Sequence, residues 1–307
     1  MNIVTVGTVA FDAIETPFGK TDRIVGGAAT YIAWAASYFT DGIGLVSVIG
    51  DDFDMDELER LRGRGVDTQG IEVKDGRKSF FWSGRYHMDM NSRDTLATEL
   101  NVLVEFDPTL PADYRTADIL MLGNIDPTLQ RTVIDQMDAR PKLTVLDTMN
   151  FWMDNSLDAL KNVLTDVDVL TINDEEARQL SGEYSLVRAA QRIFEMGPRF
   201  LVIKKGEHGA LLFHGEQVFF APALPLEEVF DPTGAGDTFA GGFVGWLAQT
   251  RDTSFDNMKR AVIYGSAMAS FCVERFGTER LRDLDPAVIH ERVQDFIDLT
   301  QVEISMG

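Results

Sequence analysis

Short β-branched and apolar runs alternate along this chain with longer amphipathic stretches. Ile3-Val4-Thr5-Val6-Gly7 and Leu45 to Gly50 both end on glycine, which predicts buried parallel strands whose tips approach a ligand. After Pro111 the alternation is regular. Strand-like runs over 118–122, 143–146, 167–172 and 200–203 are separated by helix-like runs over 129–137, 157–164, 175–180 and 186–196. Strands joined through helices of this length imply right-handed crossovers, hence an α/β fold with a mainly parallel central sheet and helices on both faces. Further on, Phe239, Phe243 and Leu247 recur at spacing four. Ala261, Gly265, Met268, Ala269, Cys272 and Val273 recur at three and four, predicting a helix with a face of small residues, and 286–299 reads as a final structural helix.

Two stretches break this rhythm. Residues 13–25 are polar around Pro17 and Gly19, and residues 70–105 carry the aromatic run Arg77 to Tyr86 followed by a strand-like 102–106. Together they predict a small β-sheet outside the main layer. Between them, Gly26-Gly27 opens a helix-like run to Phe39, and Asp51-Asp52 read as capping acids for the helix through Leu58 and Leu61. No repeat or linker divides the chain, so 1–307 is read as a single domain.

Composition narrows the classes. An apolar content of 45% supplies a core, and a formal net charge of −21 disfavours nucleic acid or an anionic membrane as partner. Any anionic ligand must then be held by local amides and a cation. Cys272 is the only cysteine, which excludes an intrachain disulfide and fits a cytoplasmic setting; the four histidines lack zinc-ligand spacing. Neither a signal peptide nor a membrane span is expected.

The stretch from Asp231 to Phe243 carries the chemistry. Gly234-Ala235-Gly236 exposes backbone N–H groups at a helix start, where the unpaired donors and the dipole favour an anion. Asp237 follows at once. A carboxylate beside an anion site repels the anion unless it has a task, and accepting the proton of an attacking hydroxyl is such a task; as a plain capping acid it would have none. Asp12, five residues after Gly7, has two oxygens for neighbouring hydroxyls, and Gly26-Gly27 allow a polar ligand near the backbone. Asn173 and Glu176 lie on one side of a first helical turn, where an amide could meet phosphate and a carboxylate could order water around magnesium; the same pair also reads as a capping box.

Asp-x-Thr-Gly-Ala-Gly-Asp-x-Phe resembles the C-terminal motif of the ribokinase-like, or phosphofructokinase B, family of carbohydrate kinases. The resemblance implies a ribokinase-like three-layer α/β/α fold with a β-sheet lid over the acceptor, the lid also serving as a homodimer surface. It implies ATP and Mg²⁺ as cofactors and a small sugar-like acceptor. Asp237 would be the base, with Gly234, Ala235 and Gly236 as the anion hole. Asp12, Gly26 and Gly27 would hold the acceptor. Tyr31 stands where the family has a sugar-contacting Asn, either stacking on a flatter acceptor or filling space, so nucleoside and cyclitol acceptors stay open. Asn173, Thr233, Lys204, Gly206 and Gly209 would lie near the nucleotide, Lys204 either as a point charge or as a solvated hairpin residue. Glu176 would serve the metal, and Asp231, with carbonyls near Val273 and Gly277, a monovalent cation such as K⁺. Phe81 and Tyr86 are candidate lid contacts. A catalytically silent relative is the alternative, and an intact Asp237 argues against it.

Overall fold

The computed structural model describes residues 1–301. In chain order the strands are β1 (Ile3–Val6), β2 (Ala10–Thr16), β3 (Gly19–Lys20), β4 (Ile24–Gly26), β5 (Ile43–Gly50), β6 (Val66–Lys74), β7 (Phe81–Tyr86) and β8 (Arg93–Glu99). They continue as β9 (Ile119–Leu122), β10 (Leu143–Asp147), β11 (Val169–Asn173), β12 (Phe200–Lys204), β13 (Ala210–His214) and β14 (Gln217–Ala221). The helices are α1 (Ala28–Ala36), α2 (Met55–Gly63), α3 (Pro127–Asp135), α4 (Asn150–Asn155), α5 (Leu157–Leu164) and α6 (Asp174–Ser181). After them come α7 (Leu186–Phe194), α8 (Ala235–Thr250), α9 (Phe255–Cys272), α10 (Glu279–Arg282) and α11 (Pro286–Thr300).

Nine strands form one sheet in the order β14-β13-β12-β11-β10-β9-β1-β5-β6, parallel except for the β12–β13–β14 meander at one edge. Side chains alternate across it, as a two-residue period demands. Ile3, Leu45, Met121 and Val145 pack with α1, α8 and α9 on one face, whereas Val4, Val46, Leu120 and Leu146 pack with α3, α5 and α7 on the other. Both faces are covered, which is why the central strands read as continuous apolar runs. The small residues of α8 and α9 allow close helix packing; a Cβ at Gly265 would sit 2.7 Å from Phe239 O.

The second sheet, in the order β3-β2-β7-β8 with β4 on β2, is built by residues inserted between β1 and α1 and between β6 and β9. Several boundaries differ from the sequence reading. Residues 70–74 belong to β6 in the large sheet, because their register with β5 continues through Gly50↔Lys74. The expected strand at 102–106 is a 3₁₀ turn, Asn101–Glu105, in which only Val102 is buried, so its apolar residues are not a strand face. The cap of α2 is Asp54, which accepts from Asp56 N. Asp51 and Asp52 instead hold the loop before β7, accepting from Gly76 N and from Ser79 N and Oγ. At its β2–β3 end the small sheet touches the large body through the edge-on pair Phe18–Phe230, with centroids 6.2 Å apart, and through Gly19 against the Phe276 ring.

Candidate active site

The C-terminal ends of β10, β11 and β12 carry Asp147, Asn173 and Lys204, and α8 begins opposite them. Gly234 starts that helix at φ 75°, a left-handed conformation that glycine tolerates, and a side chain there would collide with the Tyr31 ring. Thr238 N donates to Gly234 O at 2.8 Å and Ala235 N to Pro232 O at 3.2 Å, closing the turn. No backbone acceptor faces Gly236 N or Asp237 N among the described residues, as expected for the first turn of a helix. A Cβ at Gly236 would lie 3.1 Å from Lys204 Nζ. Two open amides, the helix dipole and an ammonium therefore converge where the sequence predicts an anion.

Lys204 is not a solvated hairpin residue. Its Nζ lies 2.6 Å from Asp147 Oδ2, which also accepts from Thr171 Oγ1 at 3.0 Å, and both charged groups are largely buried. Burial works against the ammonium, but Asp147 and Glu176 outweigh it, so Lys204 titrates above its ordinary value and stays charged. Asn173 and Glu176 form a complete capping box: Asn173 Oδ1 accepts from Glu176 N and Glu176 Oε2 from Asn173 N, each at 2.8 Å. Glu176 Oε1 has no protein partner among the described residues. Burial, opposed by Lys204, raises the Glu176 carboxyl to about 7.

Asp237 faces the same cleft. Burial first and then the Asp147 charge raise it to about 7, against the opposing pull of Lys204 and Arg93. Asp12 lies on β2 of the small sheet rather than in a turn after β1. Its carboxylate leans over Gly26 so closely that a Cβ there would collide with Oδ2. Burial, with Asp231 and Asp237 nearby, raises Asp12 to about 8, so it carries a proton at neutral pH and can donate as well as accept. Gly27, at φ 93°, lets α1 start against Thr8, whose Oγ1 accepts from Ala28 N.

Tyr31 is 1% exposed and belongs to the core, its ring flooring Gly234 and its hydroxyl without a hydrogen-bond partner. Filling space, not stacking on a ligand, is what this placement provides. Asp231 is a strut: Oδ1 accepts from Thr233 N and Oδ2 from Gly277 N, both at 2.9 Å, while Val273 O accepts from Phe230 N and Asp231 N. Thr233 Oγ1 donates to Tyr86 Oη of β7 at 3.1 Å, joining the small sheet to the turn. Gly206 and Gly209, both at positive φ, shape the β12–β13 loop, and Gly206 packs against Asn91 from the β7–β8 connection. Phe81 lies on β7 but its ring takes no part in these contacts.

Asp147 and Arg93 escaped the sequence reading. An acid ending a strand beside the ends that carry Asn173 and Lys204 was the available signal for Asp147. Arg93 had none, because only the β7–β8 register, Tyr86↔Arg93, places it on the face of Tyr86.

With this geometry in view, the comparisons are consistent. The pfkB family carbohydrate kinase model matches residues 2–283. A cytidine kinase from Thermococcus kodakarensis is 30% identical over 257 residues, covering 82% of this chain and 90% of the relative. A nucleoside kinase from Methanothermobacter thermautotrophicus is 26% identical, covering 91% of each. Among solved structures, a putative ribokinase II from E. coli in complex with ATP and Mg²⁺ superposes with a TM-score of 0.77 at 21% identity, covering 95% of this chain and 99% of that one. None of the helices among the described residues is long and apolar enough to cross a membrane. The protein is a phosphotransferase acting on an alcohol group, and it belongs to the pfkB family of carbohydrate kinases.

Proposed function

We propose that this kinase transfers the terminal phosphoryl group of ATP to a hydroxyl of a sugar or of a sugar-bearing molecule, with Asp237 as the base. The observation that carries the reading is the meeting of Asp237, the open amides of Gly236 and Asp237, and the Lys204 ammonium at one helix start. The amides and Lys204 hold phosphate oxygens, and Asp12 with Gly26 and Gly27 holds the acceptor. The acceptor oxygen forms the new O–P bond as the bond from the terminal phosphorus to its bridging oxygen breaks, ADP leaves, and the acceptor proton passes to Asp237. The donor set fits magnesium, which takes one or two carboxylates beside water and phosphate: Glu176 presents the free Oε1. Such an ion would neutralise phosphate charge that a chain of net charge −21 otherwise repels. Asp231 keeps its strut role here, and a monovalent cation has no part in the steps proposed.

The relatives' names include both nucleoside and sugar kinases, so the reading covers a ring bearing hydroxyls, free or as part of a nucleoside. Asp237→Asn tests it. Turnover should fall by about 10³-fold, a typical general-base contribution, while calorimetry shows ATP binding retained. Turnover kept within a few-fold of wild type would remove Asp237 as the base.

A further inference from the structure

The inner face of the small sheet carries a residue that the steps above leave unused. Asp12 on β2 pairs in register with Trp82 on β7, so the two side chains leave the same face of the sheet. Gly84 and Tyr86 follow on that face of β7, and the register shift between β7 and β8 places its extra residue on β8, leaving this alternation intact. Tyr86 reaches the anion turn through Thr233. The face bearing Trp82 is therefore the one that looks into the cleft.

The Trp82 ring occupies the space over Gly84, two residues along its own strand. A Cβ at Gly84 would collide with Cη2 and Cζ2, so glycine is what allows the ring to sit there. The indole is half-buried, its Nε1 points at Thr95 Oγ1 at 3.4 Å, and the Arg93 guanidinium stands 6.0 Å from its centroid. No other aromatic ring stacks on it among the described residues. The ring is thus set over Gly84 and partly exposed, with no aromatic partner among the described residues, next to the carboxyl that takes the acceptor's hydroxyls.

We infer that Trp82, set over Gly84 beside Asp12, is the platform for a planar base carried by the acceptor, and that the physiological acceptor is a nucleoside. This rests on the kinase reading of the same cleft. With the reacting hydroxyl at Asp237 and the remaining hydroxyls at Asp12, what meets the indole is the group that the sugar carries. A nucleobase presents a π-face there, and stacking of this kind tolerates any base, leaving edge contacts to choose among them.

The test is steady-state kinetics with a panel of nucleosides and with free ribose, together with nucleoside titrations of tryptophan fluorescence in the absence of ATP. Wild type should prefer a nucleoside to ribose by at least a hundredfold in kcat/KM. Trp82→Ala should cut that ratio about ten- to a hundredfold, mainly through the nucleoside KM, and Trp82→Phe should restore most of it. Nucleoside should quench the fluorescence of wild type, and Trp82→Phe should abolish the quench. Equal losses for nucleoside and ribose, or ribose used as well as any nucleoside, would overturn the inference and leave the kinase reading standing. A Trp82-dependent quench without turnover of any acceptor would uphold the platform and sink the kinase reading instead.

Discussion

The Tyr31 ring fills the space that a side chain on Gly234 would need, so the anion turn rests on an aromatic floor. Gly234→Ala meets both this ring and an unfavourable left-handed φ, and turnover should drop at least a hundredfold. Tyr31→Phe keeps the floor and removes a buried hydroxyl that has no partner. It should raise stability by about 1 kcal/mol, seen as a Tm higher by roughly 1–2 °C, with kcat/KM little changed. A large loss of kcat/KM for the acceptor in Tyr31→Phe would return this residue to the acceptor site.

Lys204 and Asp147 hold each other at 2.6 Å beside Gly236 at the start of α8. Lys204→Met should weaken ATP binding tenfold or more and, by leaving the Asp147 charge buried and unpaired, also destabilise the fold. Adding Asp147→Asn should recover the stability without recovering the affinity. Calorimetry and thermal melts on the two variants separate these effects, and a double variant that regains affinity would refute the phosphate role.

Tyr86 Oη and Thr233 Oγ1 link the small sheet to the anion turn. Tyr86→Phe should raise the acceptor KM several-fold, and a double-mutant cycle with Thr233→Ala should give a coupling of about 1 kcal/mol. Additive effects of the two substitutions would show that the link is not used.

Asp237 must lose its proton to act as a base, and burial with the Asp147 charge raises it to about 7. kcat/KM should therefore climb with pH through that value, and a profile already flat from pH 5 would contradict the assignment. Stability should run the other way. Asp12, raised to about 8, Glu176 and Asp237 bind protons more tightly folded than unfolded, where carboxyls titrate near 4. Their contribution is present below the unfolded values and is lost as pH rises through the folded ones, so Tm should fall between about pH 5 and 8. Asp12→Asn should flatten that decline.

The parallel sheet was legible because its strands are buried on both faces and read as unbroken apolar runs such as Leu143 to Leu146. The motif from Asp231 to Phe243 was legible because its elements are local: a turn, a helix start and an acid in its first turn. What failed depends on distant pairing. Val102, Leu103 and Val104 look like a strand, yet no partner strand meets them, and the chain turns at Asn101 with φ 47°. Asp51-Asp52 look like caps, but the loop before β7 competes for their oxygens and wins. Lys204 reads equally well as solvent-facing until Asp147, 57 positions earlier, is brought beside it. Trp82 and Arg93 gain their place only from the register of β7 with its neighbours.

Among its attachments to the large body, the small sheet has Tyr86 and Asn91 against Thr233 and Gly206 at one end, and Phe18 and Gly19 against Phe230 and Phe276 at the other. On the proposed reading the first pair of anchors lies beside the nucleotide, while the sheet they hold carries Asp12, which would meet the acceptor. On that reading both ligands thus lean on the same sheet. Thermodynamic reciprocity then requires that whatever factor nucleotide binding applies to the acceptor's affinity, acceptor binding applies equally to the nucleotide's, so calorimetric titrations of each ligand with and without the other should return one and the same factor.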